Sequence, residues 1–338
     1  MQDNTKKPFF VLAPMDDVTD IVFREVVATC APPDLYFSEF VNVDGLQSPG
    51  RPKLLKKLRF NKLSQPFIVQ IWGREPENFF KTAQQIADGT FAKELGLAKG
   101  ISYHGVDLNM GCPQSTEIKN GTCAALINDR PRAQAIIKAT QEGLAGRLPL
   151  SVKTRLGYNQ IDMSWIEFLL NHNLDMLTIH GRTKAQKSKV PANWEAIGQV
   201  SKLRDQLSPK TQLVGNGDVM SRARGLELAA RYNLDGMMIG RGIFQDPYIF
   251  AQKSPWHNYS KRQRIDLYKV HIKLFAETWK GGERPMRTLN KFCKIYINGF
   301  DGAKELREKL MSAKSIEQLQ ALLESEPIND LVAASNIS

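Results

Sequence analysis

Short apolar segments rich in Val, Ile, Leu and Met recur along residues 9–242, and most are followed by a segment whose apolar positions have helical spacing. Gly, Pro or Asp residues bound the apolar segments, as is typical of strands that end in turns. We predict eight strands, over residues 9–15, 35–40, 66–73, 105–111, 150–157, 176–181, 211–218 and 236–242. The helices predicted between them cover residues 17–30, 76–95, 131–145, 163–173, 194–207 and 221–232.

Continuous apolar strands indicate a parallel sheet that is covered by helices on its faces. Eight strand-helix units favour a (β/α)₈ TIM barrel over a doubly wound sheet, which usually has fewer strands. The second unit is the least regular, because residues 51–58 fit either a short helix or a basic loop. Beyond Pro247 only helical patterns remain, over residues 261–280, 285–298, 303–313 and 315–324. The sequence thus predicts an α/β barrel over residues 1–250, a small helical domain over 255–326 and a tail over 327–338.

The composition of the 338-residue chain is that of a globular protein, with 42% apolar and 24% charged residues. The net charge of +11 indicates a polyanionic partner, either a nucleic acid or a membrane surface. No apolar segment reaches the roughly 18 residues of a membrane helix, and the first residues lack the apolar core of a signal peptide. Four scattered cysteines give neither a disulfide framework nor zinc spacing. We expect a cytoplasmic monomer without a metal or a membrane partner.

Polar residues end nearly every predicted strand, where a barrel of this kind has its active site. These residues are Asp16, Glu39, Gln70, Asn109, Lys153, Arg155, His180, Arg182, Asn216, Asp218 and Arg241. No closely spaced carboxylate pair and no Ser in a G-x-S-x-G context occurs, so hydrolysis is disfavoured. Polar groups at eight strand ends predict one binding site at the mouth of the barrel.

Glycines accompany the polar residues after strands seven and eight, in Asn216-Gly217-Asp218 and Gly240-Arg241-Gly242. Barrels commonly hold a phosphate at this position, where backbone N–H groups and a bidentate arginine would bind it. A single such glycine would indicate only a tight turn, whereas the two segments together favour a phosphate site.

Lys153 and His180 end adjacent strands, where a cation can stabilise negative charge on a bound ring, as at the N1–C2=O edge of a reduced flavin. Their alternatives are a surface lysine and a core histidine. Cys112 lies in Asn109-Met-Gly-Cys-Pro113 on the loop after strand four, and a thiol with a pKa of about 8.5 can donate a proton at neutral pH. Cys123, on the same loop or the next helix, is the alternative proton donor.

Basic residues cluster near the predicted mouth and in the helical segment. Arg284, Arg287, Lys291 and Lys294 recur at spacings of three and four, which places them on one helical face. Further cations follow the second and sixth strands, at Arg51, Lys53, Lys56, Lys57, Arg59, Lys184, Lys187 and Lys189. Such a run is usually a solvated surface, but cations around a site also suit a phosphate backbone that crosses the mouth.

The motifs together resemble those of the tRNA-dihydrouridine synthases, flavin enzymes that reduce the 5,6 double bond of uridines in tRNA. The resemblance extends over almost the whole chain, and its most specific strings are Asp107-Leu-Asn-Met-Gly-Cys-Pro113 and His180-Gly-Arg-Thr183. Ala13-Pro-Met15 and Gly240-Arg-Gly242 are shared with other flavin barrels.

The resemblance implies an FMN cofactor, NADPH as the electron donor and tRNA as the substrate. It implies cofactor contacts from Pro14, Met15, Asp16, Gln70, Lys153, His180, Asn216, Gly217, Asp218, Gly240 and Arg241. Hydride would pass from flavin N5 to uracil C6, with Cys112 rather than Cys123 protonating C5. Substrate contacts are implied for Asn109, Arg155, Arg182, Arg287 and Lys291, with the base extruded from the folded RNA into the barrel.

Two other functions share part of this pattern. A flavin barrel that reduces a free pyrimidine would need the same cofactor residues, but it would not explain the basic helical segment. An RNA-binding protein without turnover would explain the charge pattern alone, but Cys112, Lys153 and His180 argue against it.

Overall fold

The computed structural model describes residues 8–326 and contains one parallel sheet of nine strands. In chain order the strands are β1 (Phe9–Leu12), β2 (Tyr36–Phe37), β3 (Val41–Asn42), β4 (Phe67–Trp72), β5 (Gly105–Met110), β6 (Leu150–Arg155), β7 (Met176–His180), β8 (Gln212–Asn216) and β9 (Gly236–Ile239). The sheet order is β1-β9-β8-β7-β6-β5-β4-β2, and β3 also pairs with β4. A bridge between Val11 and Leu35 joins β1 to the second strand position, so the sheet closes into a nearly complete eight-stranded barrel. The predicted barrel is confirmed.

The second barrel strand is interrupted, which the apolar pattern did not predict. β2 and β3 both run parallel to β4, and residues 38–40 separate them. The Ser38 hydroxyl oxygen accepts the Gln70 backbone N–H at 2.9 Å, and the Glu39 carboxylate lies fully buried in the gap. Side-chain acceptors therefore replace part of the strand ladder at this position.

Helices cover the outside of the barrel, and most begin at an Asp, Asn or Ser whose side chain accepts a backbone N–H. They are α1 (Ile21–Cys30), α2 (Val43–Leu46), α3 (Arg51–Leu55), α4 (Pro76–Ala87), α5 (Thr90–Glu94), α6 (Ser115–Lys119), α7 (Arg130–Leu144), α8 (Met163–Leu170), α9 (Trp194–Leu207) and α10 (Arg222–Tyr232). The single helix predicted over residues 76–95 is two helices, because Gly89 adopts a left-handed φ of 78° between them.

Four further helices follow the barrel: α11 (Lys261–Thr278), α12 (Asn290–Tyr296), α13 (Ala303–Ser312) and α14 (Ile316–Glu324). Helices α11 and α12 pack on α1, where the Phe23 ring stacks on Phe292 with centroids 5.0 Å apart, and α13 and α14 pack on α12 and α11. The helix predicted over residues 285–298 is a 3₁₀ turn, Met286–Leu289, followed by α12, so its basic residues do not share one α-helical face. The domain boundaries stay a prediction, and the predicted tail over 327–338 lies outside the described residues.

Candidate active site

A cavity of about 650 Å³ opens at the carboxyl ends of β1, β6, β7, β8 and β9. We call it the mouth cavity. Most of the residues predicted to bind a cofactor line it, together with one residue predicted to bind substrate. These are Pro14, Met15, Lys153, His180, Arg182, Asn216, Gly217, Asp218, Gly240 and Arg241. The strand-end rule thus identified the walls of this cavity.

The Lys153 ammonium is the feature of the cavity wall that is best suited to bind an anionic ligand. Lys153 points into the barrel, because its register partner Thr178 is itself paired with Val214, a residue of the barrel's interior cluster. Burial, with the Arg155 guanidinium nearby, lowers the pKa of Lys153 to about 8. Within residues 8–326 its Nζ makes no hydrogen bond or ion pair. The wall therefore presents a cation that lies near the Asp107 carboxylate without forming an ion pair with it within the described residues.

His180 lies on the same wall in its neutral form. Its Nε2 is 3.0 Å from Nη1 of Arg182. Because a guanidinium can only donate, Nε2 accepts this bond and the ring proton is assigned to Nδ1. Burial, followed by the charges of Lys153 and Arg155, holds the pKa of His180 well below its usual value. Nδ1–H is therefore the hydrogen-bond donor that this ring can offer to a ligand.

Arg182 and Arg241 both pair with Asp218, but they differ in how much of each guanidinium is free to bind a ligand. Arg182 is 3% exposed, and it also donates from Nε to the Val190 carbonyl at 2.5 Å. Arg241 is 60% exposed, and within residues 8–326 its one hydrogen bond is from Nη2 to Asp218, at 3.2 Å. Arg182 therefore braces the wall, and Arg241 is the guanidinium that is more available to a bound anion. A direct ligand contact from Arg182 stays a prediction.

The backbone after β8 and β9 lines the cavity without side chains. Gly217 has a φ of 131°, and a Cβ there would lie 2.7 Å from the Ala192 Cβ, so only glycine fits. At Gly240 a Cβ would meet only the Ala13 Cβ within 4 Å, at 3.6 Å, which shows that this position faces open space. Asn216 is held by its own Nδ2, which donates to the Met238 carbonyl at 2.8 Å. An anion can approach the main chain closely here, as in a phosphate cradle.

Below the mouth cavity a polar layer crosses the barrel interior. The Gln70 side chain donates to Asp107 at 2.7 Å and accepts from Asn109 at 3.2 Å, and Ser151 donates to Asp107 at 2.6 Å. Burial raises the pKa of Asp107 to about 6. Gln70 and Asn109 were predicted as ligand contacts, but they lie outside the walls of the mouth cavity and bond to this layer. The contributions of Asp107 and Ser151 were missed, although two-residue alternation from Asn109 and Lys153 would have placed them inside.

The two candidate proton donors lie side by side. Asn109 Oδ1 accepts the backbone N–H of Gly111 at 3.1 Å and of Cys112 at 3.0 Å, which fixes the loop that carries the thiol. The Cys123 thiol donates to the Cys112 sulfur, and this bond lowers the pKa of Cys112 and raises that of Cys123. Cys123 is fully buried and Cys112 is half-buried. Cys112 is thus the more accessible thiol, and Cys123 is its hydrogen-bond donor.

Arg155 connects the cysteine loop to a basic loop of the rim. Its Nε donates to the Gly111 carbonyl at 2.7 Å, and its Nη1 donates to the carbonyls of Thr183 at 3.1 Å and Lys187 at 2.9 Å. The side chain is buried and does not line the mouth cavity. The observed contacts of Arg155 join these two loops, and the substrate contact predicted for it stays a prediction.

Asp16 does not line the mouth cavity. Its carboxylate forms an ion pair with Lys57, a cation of the segment that follows the second strand position. The attraction of that charge explains why the side chain does not face the cavity next to Met15. The cofactor contact predicted for Asp16 stays a prediction.

Arg287 and Lys291 line a second cavity of about 480 Å³, which we call the cationic pocket. Lys56 reaches the same pocket from the basic segment after β3, so two separate basic segments of the sequence meet there. A third cavity of about 970 Å³ includes Lys291 in its wall, and it also includes Arg241 from the mouth cavity. A positively charged surface therefore runs from the mouth of the barrel along the edge of the helical segment.

In the part of the chain from residue 8 to residue 326, no three His, Cys, Asp or Glu side chains are grouped to hold a metal ion. None of the helices over the same residues is both long and apolar enough to cross a membrane.

Comparison with known proteins gives consistent matches. The family model described as dihydrouridine synthase matches residues 11–333. "Probable tRNA-dihydrouridine synthase 2" of Bacillus subtilis (strain 168) is 42% identical over 321 residues, which are 94% of each chain. "Probable tRNA-dihydrouridine synthase" of Staphylococcus aureus (strain COL) is 43% identical over 321 residues, 94% of this chain and 93% of that one. The match includes the barrel and the helical segment, and the chain belongs to the dihydrouridine synthase family.

Proposed function

We propose that the protein is a tRNA-dihydrouridine synthase that acts in the cytoplasm, with FMN as its cofactor and NADPH as its electron donor. The observation that carries the proposal is the Lys153 cation, which makes no hydrogen bond or ion pair within residues 8–326, in a glycine-lined cavity of about 650 Å³ at the mouth of the barrel, near the loop that carries Cys112. The family membership and the relatives' names support uridine in tRNA as the substrate.

The residues of the mouth cavity fit FMN in charge and shape. Gly217, Gly240 and the guanidinium of Arg241 suit its phosphate, and the Lys153 ammonium suits negative charge on the ring. His180 adds a neutral Nδ1–H donor beside that cation. The bound flavin supplies the hydride. The chain's own task is to bind and orient that group and to place the uracil against it.

The proton for the product comes from the Cys112 thiol in this proposal. Uracil that has gained hydride at C6 needs a proton at C5, and a thiol in its protonated form is a suitable donor. Asn109 holds the loop, and Arg155 fastens it to the rim, so the sulfur has a defined position. Cys123 tunes the donor by its hydrogen bond to the Cys112 sulfur.

Binding of the RNA is assigned to the cationic pocket and the surface that joins it to the mouth cavity. Arg287, Lys291 and Lys56 supply positive charge at the edge of the helical segment, where phosphates of a folded RNA can lie while one base enters the barrel. These contacts would position the RNA, and the cavity would select the base.

The proposal is tested by mapping dihydrouridine in tRNA from cells with and without the gene. We expect one or more uridine positions to lose the modification on deletion and to regain it when the wild-type gene, but not the Cys112→Ala gene, is returned. Unchanged dihydrouridine at every position would reject the proposed function.

Arg241→Ala is expected to weaken FMN binding about 10- to 100-fold, because a charge-assisted hydrogen bond contributes about 1.5–3 kcal/mol. Arg241 is largely exposed, so we expect the unfolding temperature of the cofactor-free protein to stay the same. Fluorescence titration of the cofactor-free protein with FMN measures the effect. Arg224→Ala, which removes an exposed arginine that pairs with Glu227 on α10, is the matched control. Equal FMN affinity in both variants would contradict the phosphate assignment.

Lys153→Met is expected to have opposite effects on cofactor affinity and on the stability of the cofactor-free protein. The folded-state pKa of Lys153 is about 8, below the ordinary value of 10.5, so the folded protein binds this proton more weakly than the unfolded chain does. The charged lysine therefore costs stability below pH 8, and the cost disappears as the pH rises from 8 towards 10.5. We expect the variant to unfold at a higher temperature at pH 7 without cofactor, and to bind FMN about 10- to 100-fold more weakly. Thermal unfolding across pH and FMN titration test both parts, and undiminished FMN affinity would contradict the role of the cation.

A further inference from the structure

Arg284 borders the cationic pocket, but its charged group is buried and has been given no role above. Its spacing from Arg287 placed it among the RNA-binding cations, but its side chain is only 3% exposed. Its Nη2 donates to Glu39 at 2.5 Å, Nη1 lies 3.4 Å from Asp17, and Nε lies 3.5 Å from Asp20. The guanidinium is thus surrounded by carboxylates from the barrel, and it contributes little free charge to the surface.

Glu39, the principal partner, is fully buried in the gap between β2 and β3. One carboxylate oxygen accepts from Arg284, and the other accepts the backbone N–H of Asp17 at 2.8 Å. A carboxylate in such a position is stable in its charged form only while a cation and hydrogen bonds compensate it. Glu39 therefore fixes Arg284 and the chain at Asp17 at the same time.

Asp17 is held through both of its backbone polar groups, while its side chain is 67% exposed. Its backbone has a left-handed φ of 56°, its N–H bonds to Glu39, and its carbonyl accepts from Lys291 Nζ at 2.8 Å. Lys291 and Arg284, which both follow the barrel in sequence, therefore contact the same residue. Asp17 is two residues beyond Met15, which lines the mouth cavity.

Asp20 gives a second point of attachment on the same loop. One of its oxygens caps α1 by accepting the Phe23 N–H at 2.9 Å, and the other accepts the Trp279 indole N–H at 3.3 Å. The Trp279 ring in turn lies 5.4 Å from the Arg284 guanidinium carbon. The loop from β1 to α1 is thus tied to the residues that follow α11 through directional contacts, which define its orientation better than apolar packing does.

We propose that Arg284 and Glu39 are positioning residues that hold the cationic pocket in register with the mouth cavity, so that a tRNA gripped by Arg287 and Lys291 presents its uridine at the correct distance from Cys112. The proposal rests on the proposed function, because it assigns the two residues to the same reaction. The proposal assigns the affinity for RNA and the position of the bound uridine to different residues. Arg287 and Lys291 determine how tightly RNA binds, whereas Arg284 and Glu39 determine where the bound uridine lies.

Glu39→Gln and Arg284→Lys test the proposal with little change in volume. A glutamine at position 39 would face two donors, Arg284 and the Asp17 N–H, with one acceptor oxygen and one NH₂ group, so one of the two contacts must be lost. A lysine at position 284 keeps the charge but cannot reach three carboxylates with a planar fork. Arg204→Lys is the matched control, since Arg204 is also buried and pairs with Asp235 at the opposite end of the barrel.

Four quantities are measured on the FMN-loaded protein: FMN content, NADPH consumption without RNA, tRNA affinity, and the single-turnover rate of dihydrouridine formation at saturating tRNA. A displacement of about 1 Å can cost up to about 100-fold in rate, so we expect the single-turnover rate to fall about tenfold or more in both variants. We expect the other three quantities to stay within about threefold, on the same reasoning, and Arg204→Lys to leave the single-turnover rate unchanged.

Wild-type single-turnover rates in both variants would overturn the proposal. Loss of FMN or of RNA-independent NADPH consumption in both would also overturn it, since the cluster would then serve only the stability of the barrel. If one variant does not fold, the other decides by the same criteria. Failure of the proposed function itself gives a different result, in which the wild-type protein forms no dihydrouridine.

Discussion

Replacing Cys112 with alanine is expected to lower dihydrouridine formation about 100- to 10,000-fold, the range that a general acid contributes. The variant should keep its FMN and its affinity for tRNA, because the sulfur is only half-buried and the Asn109 contacts that shape the loop involve backbone atoms of residues 111 and 112. The measurement is the single-turnover rate with unmodified tRNA at saturating concentration, together with flavin content and tRNA affinity.

Cys123→Ala is the matched control for this prediction. It removes the thiol that donates to the Cys112 sulfur, so the pKa of Cys112 should rise towards its ordinary value. A general acid is active in its protonated form, and the alkaline limb of the pH–rate profile should therefore move to higher pH, with substantial activity retained at neutral pH. Loss of turnover in Cys123→Ala alone would exchange the two assignments. Normal turnover in both variants would reject both.

Arg287→Glu combined with Lys291→Glu is expected to weaken tRNA binding at least about tenfold and to reduce its salt dependence. Loss of two phosphate contacts should lower the slope of log K against log salt by about 1.4–1.8. NADPH consumption without RNA should be spared, since neither residue lines the mouth cavity. The measurement is tRNA affinity at several salt concentrations.

Lys304→Glu with Lys309→Glu makes the same change of charge on exposed positions of α13, outside the three cavities. This control separates a specific contact from the loss of overall positive charge. Lys291 also bonds to the Asp17 carbonyl, so its replacement removes a contact within the protein as well. Arg287→Glu alone avoids this change, and because it removes one of the two phosphate contacts it should show about half of the change in salt slope. Equal weakening by the α13 pair would remove the cationic pocket from the RNA-binding role.

The fold and the walls of the mouth cavity were predictable because each depends on local sequence. Apolar strands that end in polar residues identify a barrel and the end at which ligands bind. The placement of Gly217 and Gly240 in the cavity wall was predicted for the same reason, since each follows directly after a strand. The family membership follows from the motifs at these positions and is confirmed by the relatives.

The features that were not predicted depend on contacts between distant parts of the chain. Arg284 has the spacing of a surface cation, and only the buried Glu39, 245 positions earlier in the sequence, makes it a structural contact. Asp16 follows Met15 at a strand end, but Lys57 attracts its carboxylate away from the cavity. The position of Cys123 against Cys112 likewise results from the path of the loop between them, which spacing alone does not define.

The most direct measurement of the central claim is the stoichiometry of the reaction of the purified, FMN-loaded protein with NADPH and unmodified tRNA in the absence of oxygen. We predict one dihydrouridine formed for each NADPH consumed, with no consumption beyond the number of reactive uridines. NADPH consumption that leaves the tRNA unmodified, or a protein that neither binds FMN nor consumes NADPH, would contradict the account.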